Sequence, residues 1–366
     1  MYNISQFSPS NSQADELQAI IYPDDASASW GEQMESICQQ KEQILGCGAT
    51  PVFERYFISD AANQMPSLRE HIKADKCAVS VVQQPPLCGA KVALWLYAIN
   101  DVEVRELHEG FYEVMHGAYK HYWAASSIMR FSDSEEQTIK LLNDYADNLQ
   151  MLGMSLADNC VRTWFFVHDI DSNYAGMVKG RNMVFDSHNL TRQTHYIAST
   201  GIGGRGENAD TKVLMDAYAV DGLKQGQMKY LYAKTNLNRT SDYGVAFERG
   251  TYVDYGDRRH VFISGTASID NNGNVLYINN IRRQTQRMWD NVEALLAEAE
   301  ATWSNVQTII VYLRDIADYA VVKHLFDEHM SGIPYIIVQA PVCRPAWLIE
   351  MECIAVVARN TAFETF

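Results

Sequence analysis

Two stretches of the chain share one pattern of apolar and polar positions. Residues 137–174 and residues 284–319 both begin with Gln-Thr and continue with apolar residues at helical spacing, which in the second stretch include Met288, Val292 and Leu295. In each stretch a short polar connection follows, then a β-rich apolar run that ends in Asp-Ile before another helical segment. The pattern predicts the order helix, strand, helix twice in one chain, as expected of an internal repeat.

Each repeat closes with a further apolar strand, VLMDAYAV upstream and LIEMECIAV downstream. Aligning the two strands places Asp216 opposite Glu352 and Leu214 opposite Glu350. The upstream copy therefore lacks one of the two carboxylates. Alternate residues of a strand share a face, so Glu350 and Glu352 are predicted to point to the same side.

The length of 366 residues favours two domains over one. Residues 1–48 are interpreted as a partly helical N-terminal extension, and residues 49–222 as a degenerate first copy of the repeat. Residues 223–239 would be a linker, and residues 240–366 the second copy, which carries the expected active site.

Charge and composition exclude several classes of protein. Lys plus Arg number 30 against 45 Asp plus Glu, and the resulting charge of -15 repels a phosphate backbone, so nucleic acid is not an expected partner. The N-terminus lacks the basic start and apolar core of a signal peptide, and no apolar run reaches the ~18 residues of a membrane span. No membrane contact and a cytoplasmic location are therefore expected.

The cysteines and histidines do not predict a metal site. The seven cysteines contain no CxxC pair, the ten histidines show no HxxxH spacing, and reduced thiols in a cytosol fit this pattern best. The glycine-rich GIGGRG follows the wrong kind of element for a dinucleotide fingerprint. Neither a metal nor a cofactor is expected.

Four segments carry a family resemblance: ISGTAS, QTQRMWDNVEALLAEA, VYLRDIADYAVV and CRPAWLIEMECIAV. Together they resemble the Rid (YjgF, RidA-like) superfamily over residues 240–358. The resemblance implies an α/β (α+β) fold of tandem Rid-type, chorismate-mutase-like domains, each a mixed sheet packed on two helices, with the upstream copy degenerate. It also implies ligand clefts between domains and a homo-oligomer, with a trimer favoured.

Within that superfamily the chain resembles the chorismatase branch. The matching features are the degenerate upstream half, STGIGGRG, YGVAFERG, SGTASI and the short CRP loop that leads to the glutamate strand. This resemblance implies a hydrolase or lyase that acts on chorismate or a related enolpyruvyl carboxylate, so a small-molecule carboxylate is the expected partner.

The two glutamates supply the candidate chemistry. Two acids on one face of a walled strand repel when both are ionised, and burial adds to this, so one of them can keep its proton near neutral pH. Glu350 is the candidate general acid for protonating an enolpyruvyl methylene carbon. Glu352 would tune Glu350 or act structurally.

A substrate with two carboxylates requires arginines, whose planar fork binds a carboxylate at two points. The candidate substrate-binding residues, most of them in segments that resemble the family's pocket, are Arg205, Arg249, Arg344, Tyr243, Cys343, Thr266 and Glu352. Structural alternatives remain for several of them. Arg344 could form a salt bridge with Glu350, and Cys343 could serve packing alone.

Two other functions remain open. A Rid-type enamine or imine deaminase needs only one carboxylate-binding arginine and a water held by a glutamate, although Arg344 lies closer to Glu350 in sequence than in simple members of that family. A non-catalytic ligand-binding protein is the third hypothesis, because a fold can persist without turnover. Cleft geometry discriminates among them: two or more arginines converging with Glu350 in a closed pocket favour the enolpyruvyl chemistry.

Overall fold

The computed structural model describes residues 1–9, 16–129 and 133–366, except for the side chain of Tyr243. Within these residues, seventeen strands form three mixed sheets, and the chain also has seven α-helices. The sheets follow one another along the chain, and each is described below as a unit with its own helices.

The first unit has a five-stranded sheet in the order β1-β2-β5-β3-β4. Its elements are β1 Tyr2–Phe7, β2 Glu16–Ile21, α1 Trp30–Leu45, β3 Thr50–Ile58, α2 Ala61–Ile72, β4 Ala78–Gln83 and β5 Val92–Ile99.

The second unit has a six-stranded sheet in the order β10-β9-β11-β8-β7-β6. Its elements are β6 Glu103–His108, β7 Phe111–His116, β8 Tyr119–Ile128, α3 Ser134–Met151, α4 Leu156–Asn159, β9 Cys160–Val167, α5 Ile170–Ser187, β10 Ala198–Gly203 and β11 Val213–Asp221.

The third unit has a six-stranded sheet in the order β12-β13-β14-β17-β15-β16. Its elements are β12 Met228–Leu231, β13 Gly250–Asp254, β14 Arg258–Ala267, α6 Ile281–Glu298, β15 Val306–Leu313, α7 Tyr319–His329, β16 Tyr335–Gln339 and β17 Ile349–Ala358.

The predicted repeat is confirmed at the level of its elements. The two helix, strand, helix segments are α3, β9 and α5 in the second unit and α6, β15 and α7 in the third. Helix α6 begins after Asn280, whose side chain accepts a hydrogen bond from the backbone of Arg283, and it buries Met288, Val292 and Leu295 as the spacing predicts.

The structure divides the chain differently from the expected boundaries, because the first unit repeats the same topology. In all three units the last strand pairs antiparallel with an earlier strand, which is β3, β9 or β15. That earlier strand pairs parallel with the strand that follows the next α-helix, which is β4, β10 or β16. Residues 1–48 are therefore not an extension: β1 and β2 belong to the first sheet, where β2 pairs with β5. The expected copy at residues 49–222 covers parts of two sheets, since strand pairing depends on contacts far apart in sequence.

The faces of the three sheets meet in a common core. The rings of Phe53 and Trp123 lie 4.7 Å apart, and Trp123 and Trp164 lie 6.4 Å apart. Within this aromatic cluster Arg55 is fully buried, and its Nη2 lies 2.8 Å from Oδ2 of Asp216, which is also buried. A buried cation is tolerable here because a carboxylate from another sheet neutralises it.

In the described residues, no helix is both long and apolar enough to cross a membrane. The same residues contain no group of three or more His, Cys, Asp or Glu side chains placed to hold a metal ion.

Candidate active site

Glu350 lies near the start of β17, a central strand of the third sheet. It pairs with Ala267 of β14 on one side and with Tyr312 of β15 on the other. Only 5% of its surface is exposed, because strands flank it on both sides. The sequence therefore places an acid in the interior of a sheet, where an ionised carboxylate is costly.

The Glu350 carboxyl group faces a cavity between the second and third units, which we call the Glu350 cavity. The space between its walls is about 520 Å³, including the part open to solvent. The second unit contributes Tyr174 and Arg181 from α5 and Ser199 and Gly201 from β10. The third unit contributes Val245, Phe247, Arg249, Gly265, Ala267, Ile269, Cys343, Arg344, Trp347 and Glu350.

Gly265 leaves room for the acid. A Cβ atom built on Gly265 would lie 2.1 Å from Oε1 of Glu350 and 3.1 Å from Cγ2 of Thr200. The register between β14 and β17 shifts at this point, between Ile263 and Thr266. A glycine at a sheet irregularity thus lets the Glu350 side chain lie against the backbone of the neighbouring strand.

The pKa of Glu350 is raised to about 8. Burial is the largest cause, and the negative charge of Glu352 is the second, while the positive charges of Arg249 and Arg162 act in the opposite direction. Among the described residues none donates a hydrogen bond to this carboxyl group. Glu350 is therefore neutral at pH 7 and can act as a proton donor.

Glu352 lies two residues further along β17 and is held by hydrogen bonds. Its Oε2 lies 2.7 Å from Nη2 of Arg162, and its Oε1 accepts a hydrogen bond of 2.8 Å from Nε1 of Trp164. The hydroxyl of Thr200 also donates to it. These partners belong to the second unit, so Glu352 joins the two units and is a fixed negative charge beside Glu350.

Two of the three predicted arginines line the Glu350 cavity. Arg249 is 4% exposed and donates from Nη2 to the backbone oxygen of Asn238 at 3.1 Å. The guanidinium of Arg344 lies over the ring of Trp347, 4.8 Å from its centroid. Cations held against aromatic rings at the wall of a buried cavity favour an anionic ligand there.

A third arginine in the cavity, Arg181, was missed by the sequence analysis. It is 1% exposed and lies over the rings of Phe165 and Phe247, 5.9 Å and 5.8 Å from their centroids. Its burial could have been predicted from its position on the apolar face of α5, since Met177 and Val184 lie at helical spacing from it and are also buried.

Arg205 and Thr266 do not line the Glu350 cavity. Arg205 follows the end of β10 and lines a separate cavity that includes His168 and Gln339. The loop turns there because the backbone nitrogen of Gly203 donates to Pro341, and that of Gln83 donates to Arg205. The hydroxyl of Thr266 donates to the backbone oxygen of Ser264, within its own strand.

Cys343 lines the Glu350 cavity, and burial raises the pKa of its thiol to about 12, which leaves it protonated. Tyr243 ends a short 3-10 helix, Thr240–Tyr243, but its side chain lies outside the described residues. The structure thus brings together Glu350, Arg249, Arg344 and Cys343 from the sequence-based set.

Comparison with known proteins agrees with this architecture. The family Endoribonuclease L-PSP matches residues 246–357. A RutC family protein of Pyrococcus abyssi (strain GE5 / Orsay) is 33% identical over 97 residues, which is 26% of this chain and 76% of that protein. A crystal structure of a chorismatase superposes with a TM-score of 0.66 at 17% identity, covering 92% of this chain and 98% of the chorismatase, and so has the same fold. The chain therefore belongs to the Rid (YjgF) superfamily.

Proposed function

We propose that the chain is a chorismatase-like hydrolase that acts on chorismate or a related enolpyruvyl carboxylate. The observation that carries the proposal is Glu350, a buried acid with a pKa raised to about 8 in a cavity lined by three arginines. A neutral acid beside several cations suits a reaction that protonates carbon in an anionic substrate.

The reaction begins with proton transfer from Glu350 to the methylene carbon of the enolpyruvyl group. The carbon that bears the ether oxygen then becomes an oxocarbenium-like centre, and the ionised Glu350 lowers the free energy of this adjacent positive charge. Water adds to that carbon, the resulting hemiketal breaks its bond to the ring oxygen, and pyruvate leaves. The water returns one proton to Glu350 as it adds, and the hydroxyl proton of the hemiketal passes to the ring oxygen, so the products are pyruvate and a ring alcohol.

The arginines would anchor the substrate carboxylates. Arg249 and Arg344 lie in the third unit and Arg181 in the second, so a dicarboxylate between them would be held from both sides of the cavity. Holding both ends of the substrate fixes the methylene carbon relative to Glu350, which lowers the barrier by orientation.

Two other functions compete with this proposal. A Rid-type enamine or imine deaminase is supported by the family match, because residues 246–357 contain Arg249, Arg344 and Glu350. It needs only one arginine beside an open cleft, whereas three arginines line this cavity. A non-catalytic binding protein would not require a buried, neutral acid at the wall of the cavity.

The test is the release of pyruvate from chorismate by the purified chain, with ammonia release from an α-imino acid measured in parallel. Glu350→Gln keeps the shape of the side chain but cannot supply the proton, so it should abolish pyruvate release. Glu293→Gln, the same change at an exposed position of α6, is the matched control and should leave the rate unchanged. Ammonia release without pyruvate release would instead favour the deaminase, and neither activity would favour the binding protein.

We also propose that the protein acts in the cytoplasm on a small-molecule carboxylate. A homotrimer remains a proposal as well. The described residues that line the Glu350 cavity come from the second and third units of one chain. Light scattering distinguishes one chain from three by mass.

A further inference from the structure

The cleft between the third and first units contains a second cavity, which we call the tyrosine cavity. Its space is about 1520 Å³, including the part open to solvent. The first unit contributes Tyr22, Asp24 and Cys88 to its walls, and the third unit contributes Tyr319, Lys323 and Tyr335. It does not overlap the Glu350 cavity.

The two cavities lie at equivalent positions of their clefts, the Glu350 cavity between the second and third units and the tyrosine cavity between the third and first units. The strand registers show this equivalence. Gly203 pairs with Val167 at the end of β9, and Gln339 pairs with Leu313 at the end of β15, so β10 and β16 align residue by residue. Ser199 and Gly201, which line the Glu350 cavity, then correspond to Tyr335 and Ile337, which line the tyrosine cavity.

The helices agree with this correspondence. Tyr174 of α5 lines the Glu350 cavity, and Tyr319 of α7, which follows the same Asp-Ile segment in sequence, lines the tyrosine cavity. A cysteine just before the last strand also lines each cavity, Cys343 in one and Cys88 in the other. The two cavities are therefore repeats of one site within one chain.

The groups that bind anions and donate a proton are replaced in the tyrosine cavity. Val92 starts β5 as Ile349 starts β17, so the position of Glu350 is occupied by Ala93. The position seven residues after the shared tyrosine is Arg181 in α5 and Phe326 in α7. The residue that follows the cysteine is Gly89, where the other cavity has Arg344.

The side chains that line the tyrosine cavity favour an uncharged ligand that contains an aromatic ring. Two cations are among the described groups that line the cavity, and both are paired. The N-terminal ammonium of Met1 forms an ion pair of 2.6 Å with Asp24, and Lys323 forms one of 2.5 Å with Asp327. The hydroxyl of Tyr335 donates to the same carboxylate, while Tyr319, Ile333 and Ile337 supply aromatic and apolar surface. No arginine is among the described residues that line this cavity, whereas an aromatic ring can stack on tyrosine and its hydroxyl can donate to Asp327.

We propose that the tyrosine cavity is a second, non-catalytic binding site that takes an uncharged hydroxylated aromatic molecule. The site is independent of the reaction at Glu350 and binds whether or not that reaction is the one proposed above. It lies at the equivalent position of the cleft between the third and first units and has aromatic and apolar side chains in place of the anion-binding ones.

The proposal is tested with 4-methylphenol as the probe and 4-methylbenzoate as its anionic counterpart of the same shape. Saturation-transfer NMR with the full chain measures the dissociation constant of each. We expect 4-methylphenol to bind in the millimolar range and 4-methylbenzoate to show no binding that depends on Tyr319. Tyr319→Ala should weaken 4-methylphenol binding about tenfold, since it removes one stacking ring.

Tyr174→Ala is the matched control, because it removes the corresponding ring from the Glu350 cavity and should leave 4-methylphenol binding unchanged. Ser331→Trp, an exposed change at the edge of the tyrosine cavity, should also weaken binding and does not disturb the core. Three results would overturn the proposal. They are no binding of 4-methylphenol, binding that survives both Tyr319→Ala and Ser331→Trp, and binding that is lost in Tyr174→Ala. A change of mass in Tyr319→Ala without probe binding would also overturn it and would identify the cleft as an interface between chains.

Discussion

Removing the charge of Glu352 should lower the pKa of Glu350. The substitution Glu352→Gln keeps the shape of the side chain but takes away the negative charge that, after burial, does most to hold the pKa of Glu350 at about 8. Arg162 forms an ion pair of 2.7 Å with Glu352 in the wild type. In the variant, the negative charge of Glu352 no longer offsets the positive charge of Arg162, which lowers the pKa of Glu350. Both changes favour the ionised form of Glu350.

The size of the effect follows from the strand geometry. Residues two apart on one face of a strand are about 7 Å apart. Two unit charges at that separation, with an effective dielectric constant of about 20, interact by about 2 kcal/mol, which corresponds to about 1.5 pKa units. We therefore expect the pKa of Glu350 to fall from about 8 to between about 6 and about 7 in Glu352→Gln.

The assay is carbon-13 NMR of the glutamate side-chain carboxyl groups during a pH titration. The Glu350 signal is identified as the one that disappears in Glu350→Gln, and near-ultraviolet circular dichroism checks that each variant is folded. The double variant Glu352→Gln/Arg162→Gln is the control. It should show a smaller shift than Glu352→Gln alone, because Arg162 lowers the pKa of Glu350.

Two results would refute this reasoning. A wild-type Glu350 that titrates near the ordinary glutamate value of 4.5 would show that the acid is ionised at pH 7. A midpoint that stays near 8 or rises in Glu352→Gln would show that the charge of Glu352 has no part in the shift.

Three further predictions concern stability and access. Between pH values of about 4.5 and about 8 folded Glu350 holds a proton that the unfolded chain has released, so the free energy of unfolding should fall by up to about 5 kcal/mol as pH rises through this window. Urea titrations should show this fall in the wild type but not in Glu350→Gln, and parallel curves would contradict it. Gly265→Ala places a Cβ 2.1 Å from Oε1 of Glu350 and so displaces the carboxyl group. The value of kcat for pyruvate release should drop at least about tenfold with the fold intact, and an unchanged kcat would refute the placement. Asp216→Asn removes the carboxylate at 2.8 Å from Arg55 and leaves only the more distant Glu352, at 3.8 Å, as a charge partner among the described residues. It should lower the free energy of unfolding by about 3 kcal/mol in urea titrations, whereas a loss below about 1 kcal/mol would contradict the ion pair's role.

The sequence predicted the third unit and its acid because the signals there are local. Helix α6 shows its apolar face as a spacing, and the alternation of β17 places Glu350 and Glu352 on one side without knowledge of the neighbouring strands. The first unit was not recognised, because its relation to the other two lies in the pairing of β2, β3 and β5 and not in similar residues.

The arginines show which site residues can be predicted from local sequence and which cannot. Arg249 and Arg344 lie in segments that enter the Glu350 cavity, but Arg205 lies in a loop whose course depends on a hydrogen bond to Pro341, more than a hundred residues away. Arg181 lines the cavity only because α5 lies beside the third unit. Its role could therefore not be predicted without knowledge of how the two units pack. The charge pairs of Glu352 and Asp216 likewise join different sheets and have no sequence signature.

The central claim is that a neutral Glu350 protonates the substrate, and the pH dependence of kcat/KM for pyruvate release from chorismate tests it most directly. Measured from about pH 6 to about pH 10, kcat/KM should be level below about 8 and fall about tenfold per pH unit above that value, as the acid loses its proton. Glu350→Gln should show no release at any of these pH values. Pyruvate release that rises with pH, or that Glu350→Gln retains, would contradict the account.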